Sequence, residues 1–338
     1  MSLATPGVSG VWSSAMLPEP LPSARGPLPR WLSSRLLRAA SWVGSALMLA
    51  LAIALLHRYL SAVAWQDVSA ALTGLPSARI LGALGATALS LTMLASFDVL
   101  AAHSVARSRV STGLAAFAGA TAHALSSTLG FHALTGGAVR YHVYASAGLG
   151  AGDIARIISL ASIGVGLGYA VLGAGSLSLG PALLGATGRI AGFALIATLA
   201  GLLLWLARRP RSLHLHRWTL ALPGARLTAA QMAIGGIEMS AAIGAMYLLL
   251  PAAVAPPFVD FVPLYLAAVL AGIVSHAPGG LGIFEAILLS GFSAAARADV
   301  LAALLCYRLI YNLLPFTLAA AALATFEAKR KLQASADA

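Results

Sequence analysis

Long apolar stretches alternate with short polar ones along the chain. Apolar runs occupy residues 39–58, 80–102, 156–177, 188–207, 228–250 and 299–325. Each approaches the ~20 residues that an α-helix needs to cross a bilayer. Two further stretches, 112–148 and 259–296, are apolar but broken in the middle. The first break runs from Gly130 to Gly137 and contains Thr135-Gly136-Gly137, and the second is His276-Ala277-Pro278-Gly279-Gly280. Glycine lets the backbone turn and come close to a ligand, and proline helps to end a helix. Non-helical backbone at membrane depth is tolerated only against protein or a wet cavity. The pattern therefore predicts an all-α polytopic membrane protein, with six spanning helices and two broken hairpins. Ahead of the first run, Pro6, Pro18, Pro20, Pro22, Pro27 and Pro29 prevent a long helix. Trp31–Arg38 has the pattern of a short interfacial helix. The first run lacks a clear A-x-A cleavage site and reads as a retained helix.

The charges between the runs orient them. Arg25, Arg30, Arg35 and Arg38 precede the first run, and Arg107 and Arg109 follow the second. Arg208, Arg209, Arg211, Arg217 and Arg226 fill the central loop, and Lys329, Arg330 and Lys331 follow the last run. The positive-inside rule makes all four clusters cytoplasmic, and with them both termini. The loops at 178–187 and 251–260 carry no Lys or Arg and face out. Parity then requires the 112–148 hairpin to open inward and the 259–296 hairpin outward. Either re-entrant hairpins or pairs of thin spanning helices satisfy this. The two halves follow the same order with opposite directions, an inverted repeat of about 39–177 and 188–325. Interrupted segments at matching places in two inverted halves are a sequence pointer to a transporter binding site. The organisation is a Pro/Arg-rich segment at 1–38, a transmembrane domain at 39–325 and a basic tail at 326–338.

Composition narrows the class. Hydrophobic residues make up 59% of the 338 positions and charged residues 9%. Soluble domains carry roughly a quarter charged residues, so a soluble enzyme is excluded. The net charge of +11 sits in short loops, as membrane topology requires, and no nucleic-acid-binding motif accompanies it. The single cysteine, Cys306, permits no internal disulfide and reads as inert packing. There is no Walker A, G-x-S-x-G or zincin pattern, and no cofactor or metal is expected. Gly164-Val165-Gly166-Leu167-Gly168 lies inside a spanning run with no preceding strand, which makes it a helix-packing motif rather than a dinucleotide loop. His123, His132 and His276 lie near the breaks without metal-ligand spacing.

Five charged residues stand out in the interior of the apolar regions. Charge near the bilayer centre costs roughly 2.5–3.5 kcal/mol on insertion scales and needs a partner or water. Asp98 and Glu238 lie in runs that correspond under the inverted repeat. Arg140 follows Gly137 by three positions, where the second arm of the first hairpin should begin. Glu285 follows Gly280 by five, and Arg308 lies in the last run. A helix start offers free N–H groups and partial positive charge, and an arginine there adds a planar fork suited to phosphate. The candidate substrate-binding set is thus Arg140, Gly136, Gly137, Tyr141, Gly279, Gly280, Glu285 and Arg308. Asp98 and Glu238 are candidates for coupling or for holding a headgroup. The competing readings are structural: Asp98 at the cytoplasmic interface, Arg308 with Glu285 as a lock between helix and hairpin, and the glycines as packing kinks.

Phe97-Asp98, Leu129-Gly130-Phe131, Leu134-Thr135-Gly136-Gly137-Ala138-Val139-Arg140-Tyr141 and Ala147-Gly148-Leu149 resemble the membrane part of the lysylphosphatidylglycerol synthase/flippase family. So do His276–Glu285 and Tyr307-Arg308-Leu309-Ile310-Tyr311-Asn312-Leu313-Leu314-Pro315. The likeness covers about residues 40–325. It implies a flippase-like domain, and it departs from the family pattern at His142 and Ala277. Thirteen residues follow Thr325, so the family's soluble synthase activity is not expected. The expectation is a bacterial inner-membrane translocator that moves a phospholipid or other polar lipid between leaflets by alternating access, not an enzyme. The membrane potential, ~2.3 kcal/mol per charge per 100 mV, is a candidate energy source. A membrane partner of a separate lipid-synthesising enzyme and an intramembrane lipid-modifying enzyme are the alternatives. Membrane lipids are the expected partners, with room for such an enzyme or a second copy of the chain, and no nucleic acid.

Overall fold

The computed structural model describes residues 66, 74–130, 132–179, 185–208, 212–215, 218–221, 223–275 and 278–336. The run at 39–58 and the segment at 1–38 lie outside them, as does His276. Helix α1 (Ser77–Ala106) begins after Pro76 and continues unbroken for 30 residues. Several of its hydroxyls are satisfied on its own backbone. Thr87, Thr92 and Ser96 each donate to the carbonyl four residues earlier, at 2.7–2.8 Å. Helix α2 (Thr112–Leu129) is capped by Ser111, whose Oγ accepts from Leu114 N, and it stops at Gly130 with φ 78°. Helix α3 (His132–Ser146) returns. Helices α4 (Ala151–Leu179) and α5 (Gly185–Arg208) follow.

The second half starts with α6 (Ala225–Leu249), then α7 (Phe258–Val274) behind Pro257. A turn at Pro278–Gly280 leads to α8 (Ile283–Ser290). Helix α9 (Arg297–Tyr307), a π-helical turn at Arg308–Leu313 and α10 (Leu314–Ala336) form the last rod. Among the described residues, five segments are long and apolar enough to cross a membrane: 77–106, 151–179, 185–208, 225–249 and 294–333. They match five of the six expected spans. Helix α8 has eight residues, about 12 Å at 1.5 Å per residue, and α3 has fifteen, about 22 Å. Neither is long enough to reach across a hydrocarbon core of about 30 Å.

The chain is all-helical in class, and one short strand pair accompanies the helices. Strands β1 (Ser212–Leu215) and β2 (Trp218–Ala221) pair antiparallel in the central loop, Ser212 opposite Ala221. Backbone leaving the membrane there has no helix to satisfy it, and pairing within the loop does so.

The buried apolar residues form two clusters that follow the halves. One lies on α1–α4 around Phe97, Tyr144, Ile154 and Ile157. The other lies mainly on α6–α9 around Ile243, Met246, Phe261 and Leu304. Helices α1, α4 and α6 pack against one another at the centre. Glycine permits their approach. A Cβ on Gly164 would meet the Phe97 ring at 2.5 Å, and one on Gly168 would meet Gly235 Cα at 2.7 Å. Gln231 bridges the same contact, donating to Leu160 O at 2.9 Å. The 164–168 motif is therefore a packing face, although Gly166 contributes nothing to it.

Candidate functional site

The tip of the second hairpin meets α2 of the first. Around this meeting lies a cavity of about 900 Å³. The two hairpins, α1, α4, α6 and the π turn of the last rod all contribute to its wall. His123, Ser126, Arg140, Glu238, Tyr265, Arg308 and Tyr311 supply polar groups in its depth. Leu134, Leu270 and Ile273 also line it, yet they are 73%, 46% and 43% exposed. The cavity thus reaches the protein surface past apolar side chains carried by both hairpins.

Arg140 and Asp98 form one unit. Arg140 Nε and Nη2 donate to Asp98 Oδ1 and Oδ2, both at 2.7 Å, in the bidentate geometry that makes such pairs strong. Tyr144 OH donates to Oδ1 at 3.2 Å. Asp98 is wholly buried. Two glycines make room for the pair. A Cβ on Gly119 would lie 2.8 Å from Asp98 Oδ2, and one on Gly136 would lie 3.1 Å from Arg140 Nη1. Nη1 carries no hydrogen bond among the described residues, and Arg140 lines the cavity. One edge of the guanidinium therefore remains for an anion.

The expected geometry around Arg140 changes in three respects. The helix restarts at His132, directly after the Gly130 turn, because one glycine in the left-handed region suffices to reverse the chain. Gly136 and Gly137 are then helical, and Arg140 lies about two turns inside α3 rather than at its start. Gly137 lines the cavity but makes no close approach. Tyr141 is 52% exposed and points away from the site, since the residue after Arg140 is rotated about 100° on a helix.

The second hairpin matches its expectation more closely. Gly279, Gly280 and Gly282 have φ of 60°, 65° and 82°, the region that L side chains avoid. A Cβ on Gly280 would lie 3.4 Å from Gly272 Cα. Glu285 caps α8, accepting from Gly282 N at 2.8 Å. Arg308 Nε and Nη2 reach Glu285 Oε1 at 2.8 and 2.6 Å, and its Nη1 donates to Gly279 O at 2.6 Å. The guanidinium lies 5.1 Å from the Phe284 ring centroid. Arg308 and Glu285 thus lock the last rod to the hairpin tip, and Glu285 stays outside the cavity lining.

Glu238 sits apart from both pairs. Ser90 Oγ donates to its Oε1 at 2.9 Å, and Tyr311 OH lies 3.5 Å from the same oxygen. Ser90 and Tyr311 are themselves 2.7 Å apart. Tyr311 stacks on Tyr307 at 4.9 Å, and Tyr307 OH meets Tyr265 OH at 2.5 Å. Sequence reasoning missed these hydroxyls. The available signal was Tyr307 and Tyr311 at i, i+4, one helical face inside an apolar run. Among the described residues no group of three or more His, Cys, Asp or Glu is placed to hold a metal.

These features define a multi-pass helical membrane protein with a polar cavity lined by two broken hairpins and the helices between them. No family model matches the chain. It is 31% identical over 281 residues to the uncharacterized protein slr0712 of Synechocystis, an alignment covering 80% of this chain and 85% of that protein. It is 28% identical over 306 residues to the inner membrane protein YbhN of Escherichia coli, covering 86% and 92%. The chain belongs to the family of slr0712.

Proposed function

We propose that the protein is an inner-membrane lipid translocator that moves a phospholipid or other polar lipid between leaflets without altering its bonds. The name of the relative YbhN supports the membrane assignment. The resemblance to the lysylphosphatidylglycerol synthase/flippase family supports the lipid. The observation that carries the reading is the cavity: polar at its depth, apolar and exposed where it meets the surface. Such a shape takes a headgroup inside while acyl chains remain in the bilayer. The free edge of Arg140 would hold the phosphate, with geometry that Asp98 fixes in advance. The Gly279–Gly282 turn gives the second hairpin a place to pivot, and Arg308 with Glu285 sets its position. Alternating access would follow from movement of one hairpin against the other around this cavity.

The test is transbilayer movement by purified protein in phosphatidylcholine vesicles. A trace of tail-labelled fluorescent phosphatidylglycerol is followed by quenching from outside with dithionite. Translocation takes the quenched fraction from about half toward completion. Vesicles containing the protein that stay at the protein-free level refute the reading.

A further inference from the structure

Three carboxylates lie in the apolar interior, and two of them are matched by arginines: Asp98 by Arg140 and Glu285 by Arg308. Glu238 is 5% exposed, and no cation lies within ion-pair distance of it among the described residues. The groups that face it are hydroxyls: Ser90 on α1, Tyr311 on the last rod, and Tyr169 and Tyr265 from α4 and α7 within electrostatic reach. Both of its hydrogen bonds fall on Oε1, which leaves Oε2 for the cavity that the residue lines. Intramembrane carboxylates of this kind serve proton relays.

Charge fixes the consequence. The two arginines and three carboxylates leave the site with one net negative charge when Glu238 is ionised and none when it is protonated. An ionised Glu238 repels a phosphate approaching Arg140 through a low-dielectric cavity, and a proton removes that repulsion. We propose, resting on the lipid-translocator reading, that Glu238 is a proton-carrying site and that an anionic headgroup crosses together with one proton. The proton binds Glu238 Oε2 from the cavity as the headgroup enters, and leaves for water when the headgroup departs on the other side. The cycle is electroneutral, so a pH gradient drives it and the membrane potential does not.

Two measurements test this on the full chain. In pH-difference infrared spectra of the detergent-solubilised protein, wild type should show a protonated-carboxylic-acid carbonyl component that Glu238→Gln loses. That substitution keeps the volume and the acceptor for Ser90. Identical spectra from both overturn the proposal whether or not lipid moves. In phosphatidylcholine vesicles carrying labelled phosphatidylglycerol, a gradient of about one pH unit should enrich the label about tenfold in the leaflet facing the alkaline side, one proton per lipid. Setting a potassium diffusion potential with valinomycin should change nothing. Glu238→Asp should retain the enrichment, and Glu238→Gln should equilibrate label without enrichment. Wild type that equilibrates label but ignores the pH gradient overturns the coupling and leaves the lipid reading standing. Wild type that moves no label overturns both.

Discussion

Asp98→Asn should be one of the most damaging single-atom changes in the protein. It replaces a carboxylate that accepts two hydrogen bonds from Arg140 at 2.7 Å and one from Tyr144. The amide offers N–H where Arg140 also presents N–H, and Arg140 is left as an uncompensated buried cation, 6% exposed. Removing one partner of a buried pair costs about 3–5 kcal/mol, whereas replacing both with neutral groups is often close to neutral. Arg140→Gln alone should cost a similar amount, and Asp98→Asn with Arg140→Gln should recover most of the loss. The assay is thermal unfolding in detergent, read by the fluorescence of a thiol-reactive dye at the buried Cys306. A double variant no more stable than the singles would refute the pairing energetics. The same three variants, assayed for lipid movement in vesicles, separate structure from function. With the phosphate on the Nη1 edge, the double variant folds and stays inactive. A double variant that folds and moves lipid at the wild-type rate would leave Arg140 as a structural ion only.

The glycines of the two hairpins should behave differently. Gly280→Ala and Gly282→Ala force a Cβ into the left-handed region at about 1–2 kcal/mol each, while Gly137→Ala, helical and uncrowded, should stabilise by up to about 1 kcal/mol, all read by the same unfolding assay. Gly168→Leu or Gly235→Leu should push α4 from α6 and abolish folded protein, measured as loss of the monodisperse peak on size exclusion, because the backbones already touch. A cysteine placed at Arg330 should be protected from a membrane-impermeant maleimide in intact cells and labelled after lysis, if the positive-inside rule orients the chain.

Membrane class and the positions of the spans were legible in the sequence, because both depend on the local run of apolar residues. Five predicted spans fall where helices occur, and the two broken segments are hairpins, since a short apolar run with glycine at its centre has few other solutions in lipid. The Gly279–Gly280 turn was legible for the same reason. Other features depended on which residues meet across the structure. Asp98 and Arg140 are 42 positions apart, and no local pattern distinguishes a pair from two separate ligands. Gly136-Gly137 and Gly279-Gly280 look alike in sequence. One dipeptide is helical because Gly130 has already turned the chain, and only the other lies in the turn. Tyr141 is adjacent to Arg140 yet faces outward, because helical rotation about a packed neighbour decides direction. Glu238 was visible as a buried acid. That its surroundings are hydroxyls rather than arginines emerged only when α1, α4, α7 and the last rod closed around it, because a buried charge is defined by partners that the chain brings from far away.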